Sequence, residues 1–216
     1  MLKRIIIFLL MLGTFCGSYA GIDTKIDPLP YSHGKTGIVF PSQLGLFKKQ
    51  GQSVYSPESS GISVRYMYKD VKMDIYLYDQ GIKNIPDGNS DILLQHFKQN
   101  IRDIGAIGYY TNLKAESSGT AAFTGKDYNL ECLFAKFTFG EVKTGPRPPE
   151  TSITYILLTG WKQHFLKVRC TFKDDADKSK EKAMNNCLDE LEKILGLETL
   201  KNKGAVPAAE NAFKNN

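Results

Sequence analysis

The feature that most constrains the fold is the stretch from residue 62 to residue 78, in which apolar and polar side chains alternate. Alternation with a period of two is typical of β-strands that bury one face. Lys69 and Asp70 interrupt it near the middle, so the sequence predicts two strands joined by a tight turn. A slip of one residue would move the whole apolar set to solvent, which specifies the register strongly. The expected register sets Tyr68 opposite Val71, Tyr66 opposite Met73, Val64 opposite Ile75 and Ile62 opposite Leu77.

Two other segments have the apolar spacing of helices. Between residues 93 and 104 apolar side chains recur every three or four positions, and Gly105 follows as an expected stop. A second such pattern runs between residues 183 and 195, with Asp174 or Asp175 as the expected N-terminal cap. Each helix has one apolar face, so each is expected to cover a sheet.

The rest of the chain supplies further strands. Segments 130–139 and 153–158 are apolar on both faces, which indicates central strands covered on two sides. The order of elements is therefore several strands, a helix, more strands and a second helix. The simplest fold for this order is α+β, a mostly antiparallel sheet flanked by two helices. The strands expected between the helices are 109–115, 120–124, 128–139, 152–159 and 164–172.

The N-terminus has the pattern of an export signal. Lys3 and Arg4 precede an apolar run from Ile5 to Leu12, and small residues close on Ala20. We expect cleavage after Ala20, because the apolar core is short for a membrane span; a retained anchor is the alternative. The expected organisation is a signal peptide at 1–20, an extended lead-in at 21–37, a single α+β domain at 38–196 and a flexible tail at 197–216.

Charge and histidine spacing disfavour two classes of partner. The formal charge of the chain is +5, and its basic residues form no stripe with interleaved aromatic residues, so nucleic-acid binding is not expected. The three histidines, His33, His96 and His164, lie far apart, without a cysteine or carboxylate at metal-ligand spacing. The sequence therefore predicts no metal site, no cofactor and no catalytic residue.

Three cysteines remain after the predicted cleavage. An exported protein meets an oxidising compartment, so one disulfide and one free thiol are expected. Cys170 and Cys187 are the preferred pair, on a strand and on the helix that follows it. The bond needs a helix that crosses obliquely or begins later than Asp175. No bond, or a pair that involves Cys132, stays open.

Tyr76, Tyr78 and Asp79 form a candidate recognition patch. The two tyrosines lie on the polar side of the predicted hairpin, and each combines a flat apolar ring with a hydroxyl group. Rings of this kind on an outer face suit partner binding. The alternative is that a helix covers this face as well.

Two segments, 40–55 and 71–88, carry a resemblance to known proteins. Its residues are Phe40, Pro41, Gly45, Phe47, Tyr55, Val71, Tyr76, Tyr78, Asp79, Gly81, Lys83, Ile85, Pro86, Asp87 and Gly88. They resemble a group of uncharacterised exported proteobacterial proteins over about residues 38–105, and this resemblance implies no activity. The order of elements also looks like the PsbP and Mog1 fold, a sheet flanked by helices, and a fold does not fix a function.

These observations favour a non-catalytic binding or accessory module, periplasmic or secreted, whose partner is an unidentified envelope or extracellular protein. No membrane span is expected once the signal is removed. Two alternatives remain. One is a hydrolase with a site assembled from distant residues, and the other is a secreted factor that acts on a host or a competitor.

Overall fold

The described part of the chain contains ten strands and two helices. The structure is a computed structural model that describes residues 27–106, 110–124, 129–141, 151–175 and 177–196. The predicted signal peptide, 1–20, and the predicted tail, 197–216, lie outside the described residues. The elements are β1 (Tyr31–Ser32), β2 (Val39–Phe40), β3 (Gln43–Leu44), β4 (Phe47–Val54), β5 (Ile62–Tyr68), β6 (Val71–Tyr78), α1 (Asp91–Ala106), β7 (Tyr110–Thr124), β8 (Asn129–Glu141), β9 (Thr151–Trp161), β10 (His164–Lys173) and α2 (Ser179–Ile194).

Eight of these strands form one sheet. Its order is β3-β4-β5-β6-β10-β9-β8-β7, and every neighbouring pair runs antiparallel. β1 and β2 pair with each other in a separate short ribbon. The predicted fold class, an α+β fold with a mostly antiparallel sheet and two helices, is confirmed.

The hairpin of β5 and β6 has the predicted register. Its partners are Tyr68 with Val71, Tyr66 with Met73, Val64 with Ile75 and Ile62 with Leu77. Of these eight side chains, Tyr68 is partly buried and the other seven are buried. Burial of the apolar set thus selects the register, as expected for a period of two.

The two helices cover opposite faces of the sheet. Tyr76 packs in one cluster with Leu93 of α1, whereas Ile75 packs in another with Leu191 of α2. Adjacent residues of a strand point to opposite faces, which places one helix on each side. A fully buried leucine of this kind contributes about 2 kcal/mol. Within the described residues no helix has the length and apolarity needed to cross a membrane.

α2 begins later than predicted. Its first residue is Ser179, whose backbone N–H donates to the carboxylate of Asp177 at 3.0 Å. Asp175, one of the two predicted caps, instead accepts a hydrogen bond from Lys180 Nζ at 2.6 Å. The ammonium of Lys180 also donates to Asp70 at 2.6 Å, which ties the start of the helix to the β5–β6 turn.

Strand pairing extends through segments that look like turns in the sequence. The stretch between 115 and 120 was expected to separate two strands, but β7 is one strand that bends through two bulges, on either side of Lys114 and Ala115. β4 likewise continues through Gly51 to Val54, with a bulge between Lys49 and Gly51. Pairing with β8 and with β5 overrides the local preference in both places.

The structure does not contain the expected disulfide between Cys170 and Cys187. These residues and Cys132 are free, buried thiols. In the sheet Cys170 lies opposite Met73 of β6, and Cys187 Sγ lies 3.3 Å from Met73 Sδ. Cys187 thus contacts β6, a strand about 5 Å away from β10 in the sheet. Its thiol packs as a small apolar group.

Candidate functional site

A cleft opens at the end of the sheet where β6 finishes and β10 starts. Its volume is about 270 Å³. Four separate segments line it: the β1–β2 ribbon, the loop 55–61, the end of β6 and the start of β10. The side chains with chemistry in this cleft are Tyr31, His33, Lys35, Tyr55, Glu58 and His164.

The turn that carries His164 is strained. Lys162 and Gln163 connect β9 to β10, and both have left-handed backbones, with φ of 47° and 62°. A two-residue turn of this hand suits the twist of the strands but normally takes Asn or Gly. Each such residue costs about 1 kcal/mol, so the surrounding contacts have to hold the turn.

Several contacts hold the strained turn in place. The backbone N–H of Lys162 donates to Asp87 Oδ1 at 2.7 Å, and its ammonium donates to the carbonyl of Thr36 at 3.0 Å. The same ammonium lies 4.7 Å from the centre of the Trp161 ring. Just before the turn, Gly160 exchanges two backbone hydrogen bonds with Gly88. A Cβ on Gly160 would lie 1.8 Å from a backbone oxygen, so only glycine fits there.

His33 comes from the opposite wall of the cleft. It begins the turn between β1 and β2, where its backbone N–H donates to the carbonyl of Ile38 at 2.9 Å. Its ring Nδ1 forms a hydrogen bond of 2.8 Å with the hydroxyl of Thr36. Burial lowers the pKa of His33, and the nearby His164 and Lys35 act in the same direction.

The fold brings these two histidines together. The ring centres of His33 and His164 are 5.7 Å apart and their planes are perpendicular, at 89°. His164 Nδ1 lies 2.7 Å from the carbonyl oxygen of Lys162. A carbonyl can only accept, so this nitrogen carries the proton and the neutral ring keeps a lone pair on Nε2.

The rim of the cleft is charged and its sides are aromatic. Lys35 and Glu58 form an exposed ion pair at 2.9 Å. The Tyr55 hydroxyl makes a 2.8 Å hydrogen bond with Ser63, and the Tyr31 ring stacks on Phe40 at 6.4 Å. Both tyrosines are partly buried, which leaves part of each ring free to touch a ligand.

The expected tyrosine patch is not formed on the surface. Tyr76 and Tyr78 are each only 2 % exposed, because α1 covers this face of the sheet, as in the alternative considered from the sequence. Tyr78 and Asp79 do line the cleft at the end of β6. A binding role for Asp79 stays a prediction.

A buried lysine lies between the two tyrosines and α1. Lys167 is 6 % exposed, and its ammonium donates to Asn100 Oδ1 on α1 at 3.3 Å. The same nitrogen lies 4.7 Å from the centre of the Tyr76 ring and 5.5 Å from that of Tyr78. Burial, and then the positive charge of Arg169, lower the pKa of Lys167 to about 8.

His96 is the third polar group under α1. Its Nε2 makes a 2.9 Å hydrogen bond with the Tyr78 hydroxyl, and its ring stacks on Phe165 at 4.1 Å. Burial, and then the charge of Lys167, lower the pKa of His96 to about 3. This imidazole is therefore neutral at physiological pH and acts as a hydrogen-bonding part of the core.

Sequence reasoning missed the histidine pair. His33 and His164 have no shared motif, and their approach depends on the ribbon folding over the start of β10.

No protein-family model matches the chain, and no curated protein matches it. The resemblance to exported proteobacterial proteins and to the PsbP and Mog1 fold stays a prediction.

Proposed function

We propose that this protein is a non-catalytic binding module that acts outside the cytoplasm and takes a segment of an envelope or extracellular protein into the cleft. The observation that carries the proposal is the convergence of aromatic and ionisable side chains on one open cleft. Tyrosine rings give contact area at low entropic cost, and the charged groups give orientation.

The size of the cleft favours a protein partner. A volume of about 270 Å³ is at the small end for ligand pockets and suits one or two side chains of a larger molecule. Val54 lies at the rim with 65 % of its surface exposed, so an apolar contact is available beside the entrance. The ion pair of Lys35 and Glu58 at the same rim presents one charge of each sign to a partner.

The strained turn also supports a binding role. Residues in unfavourable backbone conformations persist where the surrounding structure holds them, and they cluster at functional sites. Here the strain lies at Lys162 and Gln163, directly before His164 in the cleft. A turn held by these contacts keeps the His164 side chain in one position, which suits a binding residue.

Export is the second part of the proposal, supported by the charged, apolar and small residues that precede Gly21. Mass spectrometry of the protein isolated from its producing cells should find a chain that begins at or close to Gly21. A protein that retains Met1 and the apolar run contradicts export.

A pair of glycine variants tests the cleft. Gly34 lines the cleft, and a Cβ at this position meets no heavy atom within 4 Å. Gly34→Trp should therefore fill the cleft without disturbing the fold. Gly105 is the matched control, because a Cβ there is equally unhindered and the residue is exposed at the end of α1.

The measurement is quantitative co-precipitation from an envelope extract of the producing cells. Wild type and both variants are compared after their melting temperatures are shown to be equal. We expect at least one protein to be retained by wild type and by Gly105→Trp and to be lost with Gly34→Trp. The same proteins bound by all three would show that the cleft is not the binding site.

A further inference from the structure

The two cleft histidines share a hydrogen-bonding pattern that is typical of metal ligands. In each ring Nδ1 is engaged, His33 with the hydroxyl of Thr36 and His164 with the carbonyl of Lys162. A histidine that binds a metal through Nε2 usually has its other nitrogen fixed by a carbonyl, carboxylate or similar group. The ring orientation is thus set before any ion arrives.

Both Nε2 atoms are available. Within the described residues, neither Nε2 atom has a hydrogen-bond partner, and neither atom is fully buried. Both therefore reach solvent in the cleft that the two residues line.

The distance between the rings suits a shared ion. With metal–nitrogen bonds of about 2.1 Å, each ring centre lies about 3.2 Å from the ion, and a tetrahedral angle separates the centres by roughly 5.2 Å. The observed separation is 5.7 Å, which corresponds to an angle at the ion of about 125°. The two ring centres are thus already at a separation that suits a shared ion.

We infer that His33 and His164 together bind one divalent transition-metal ion of the Zn²⁺, Ni²⁺ and Cu²⁺ class. Imidazole suits these ions, whereas Mg²⁺ and Ca²⁺ prefer oxygen ligands. No group of three or more histidine, cysteine or acidic residues in the described chain could hold a metal ion. Two protein ligands therefore leave the remaining positions to water or to a donor group from outside the chain, which makes the site an open one.

Titration of the untagged protein with each ion tests this inference. We expect one Zn²⁺ or Ni²⁺ per chain by calorimetry at neutral pH and no binding of Mg²⁺. His33→Gln and His164→Gln should each weaken the affinity by about tenfold or more, and the double variant should remove binding. His96→Gln is the matched control, because it is the same change at the third histidine, which lies under α1.

Spectroscopy gives a second readout that a merely structural effect would not change. The Cu²⁺ complex of wild type should show electron paramagnetic resonance couplings from two imidazole nitrogens, and each single variant should show only one. Wild-type affinity in the double variant, or no binding by wild type below roughly 1 mM ion, would overturn the inference.

Metal binding and partner binding are separable. The double histidine variant leaves the cleft open, while Gly34→Trp fills it without removing either imidazole. If the double variant loses the metal but co-precipitates the same proteins, the proposed binding role still holds. If Gly34→Trp loses the partner but still binds the metal, the metal site still holds.

Discussion

At the scale of single residues, His96 shows how burial fixes a protonation state. Its ring hydrogen-bonds Tyr78 of β6 and stacks on Phe165 of β10, and the positive charge of Lys167 acts on it. Burial and this charge hold its pKa at about 3, below the ordinary value of 6.5. In the unfolded chain the same imidazole takes a proton as the pH falls through about 6.5.

The sign of the resulting pH dependence follows from linkage. The unfolded state binds more protons between about pH 6.5 and pH 3, so the free energy of unfolding falls as the pH is lowered through that window. We expect wild type to lose about 2 to 3 kcal/mol more than His96→Gln between pH 7.5 and pH 4.5. Glutamine can keep the hydrogen bond to Tyr78, and denaturant titrations at both pH values measure the difference. Equal losses in the two proteins would contradict the buried neutral state.

Single residues also mark the limit of sequence reasoning about the site. Tyr78 and Asp79 were selected from the hairpin pattern, and both line the cleft. His33 and His164 could not be selected, because their proximity depends on the β1–β2 ribbon and on the strained Lys162 turn. No local pattern in the chain encodes either feature.

At the scale of elements, Lys167 links α1 to the sheet. Its ammonium joins Asn100 of the helix to the aromatic rings of β6. The pKa of Lys167 in the folded protein is about 8, below its ordinary value of 10.5. Between these values the unfolded state binds the extra proton, so this residue makes the fold more stable as the pH rises.

Lys167→Met tests the cost of this buried charge. We expect the stability of wild type to rise, relative to the variant, by about 2 kcal/mol between pH 7.5 and pH 9.5. The tyrosines and cysteines contribute equally in both proteins, so the difference between their pH profiles reports on Lys167 alone. Lys83→Met, at an exposed lysine, is the control and should show no such trend relative to wild type. Parallel pH profiles of wild type and Lys167→Met would show that the ammonium is not desolvated.

The elements differ in how well the sequence predicted them. Both helices and the β5–β6 register were predictable, because one buried face repeats along each of them. The continuity of β7 between residues 115 and 120 and the end of β4 were not, since most residues there are polar or small and gain their structure from pairing with a neighbouring strand. The start of α2 was misplaced because several aspartates precede it, and the sequence does not show that Asp175 pairs with Lys180, which also contacts Asp70 of the β5–β6 turn.

At the scale of the whole molecule, the cysteines report on global opening. Cys132, Cys170 and Cys187 lie on β8, β10 and α2, and each is at most 1 % exposed. Burial raises the pKa of Cys132 and Cys187 to about 12, and it raises that of Cys170 as well. A thiol reagent should therefore label none of them in the native state, and all three should react with one common rate when the sheet opens.

Counting thiols in the denatured, unreduced protein checks the covalent state. For a chain that begins at Gly21 we expect three reactive thiols. A single thiol that maps to Cys132 would instead establish the Cys170–Cys187 disulfide.

The outermost position of β7 affects how the protein behaves at high concentration. This strand has a sheet partner on one side only in the described part of the chain, so its other edge offers backbone groups on which cross-β fibrils could grow. Two bulges and the charged pair of Lys114 and Glu116 disrupt the first half of that edge. From Ser117 to Thr124 the pairing is regular and the side chains carry no charge. In these eight residues the β7 edge is thus open to pairing with another chain, and a lysine introduced among them should delay aggregation.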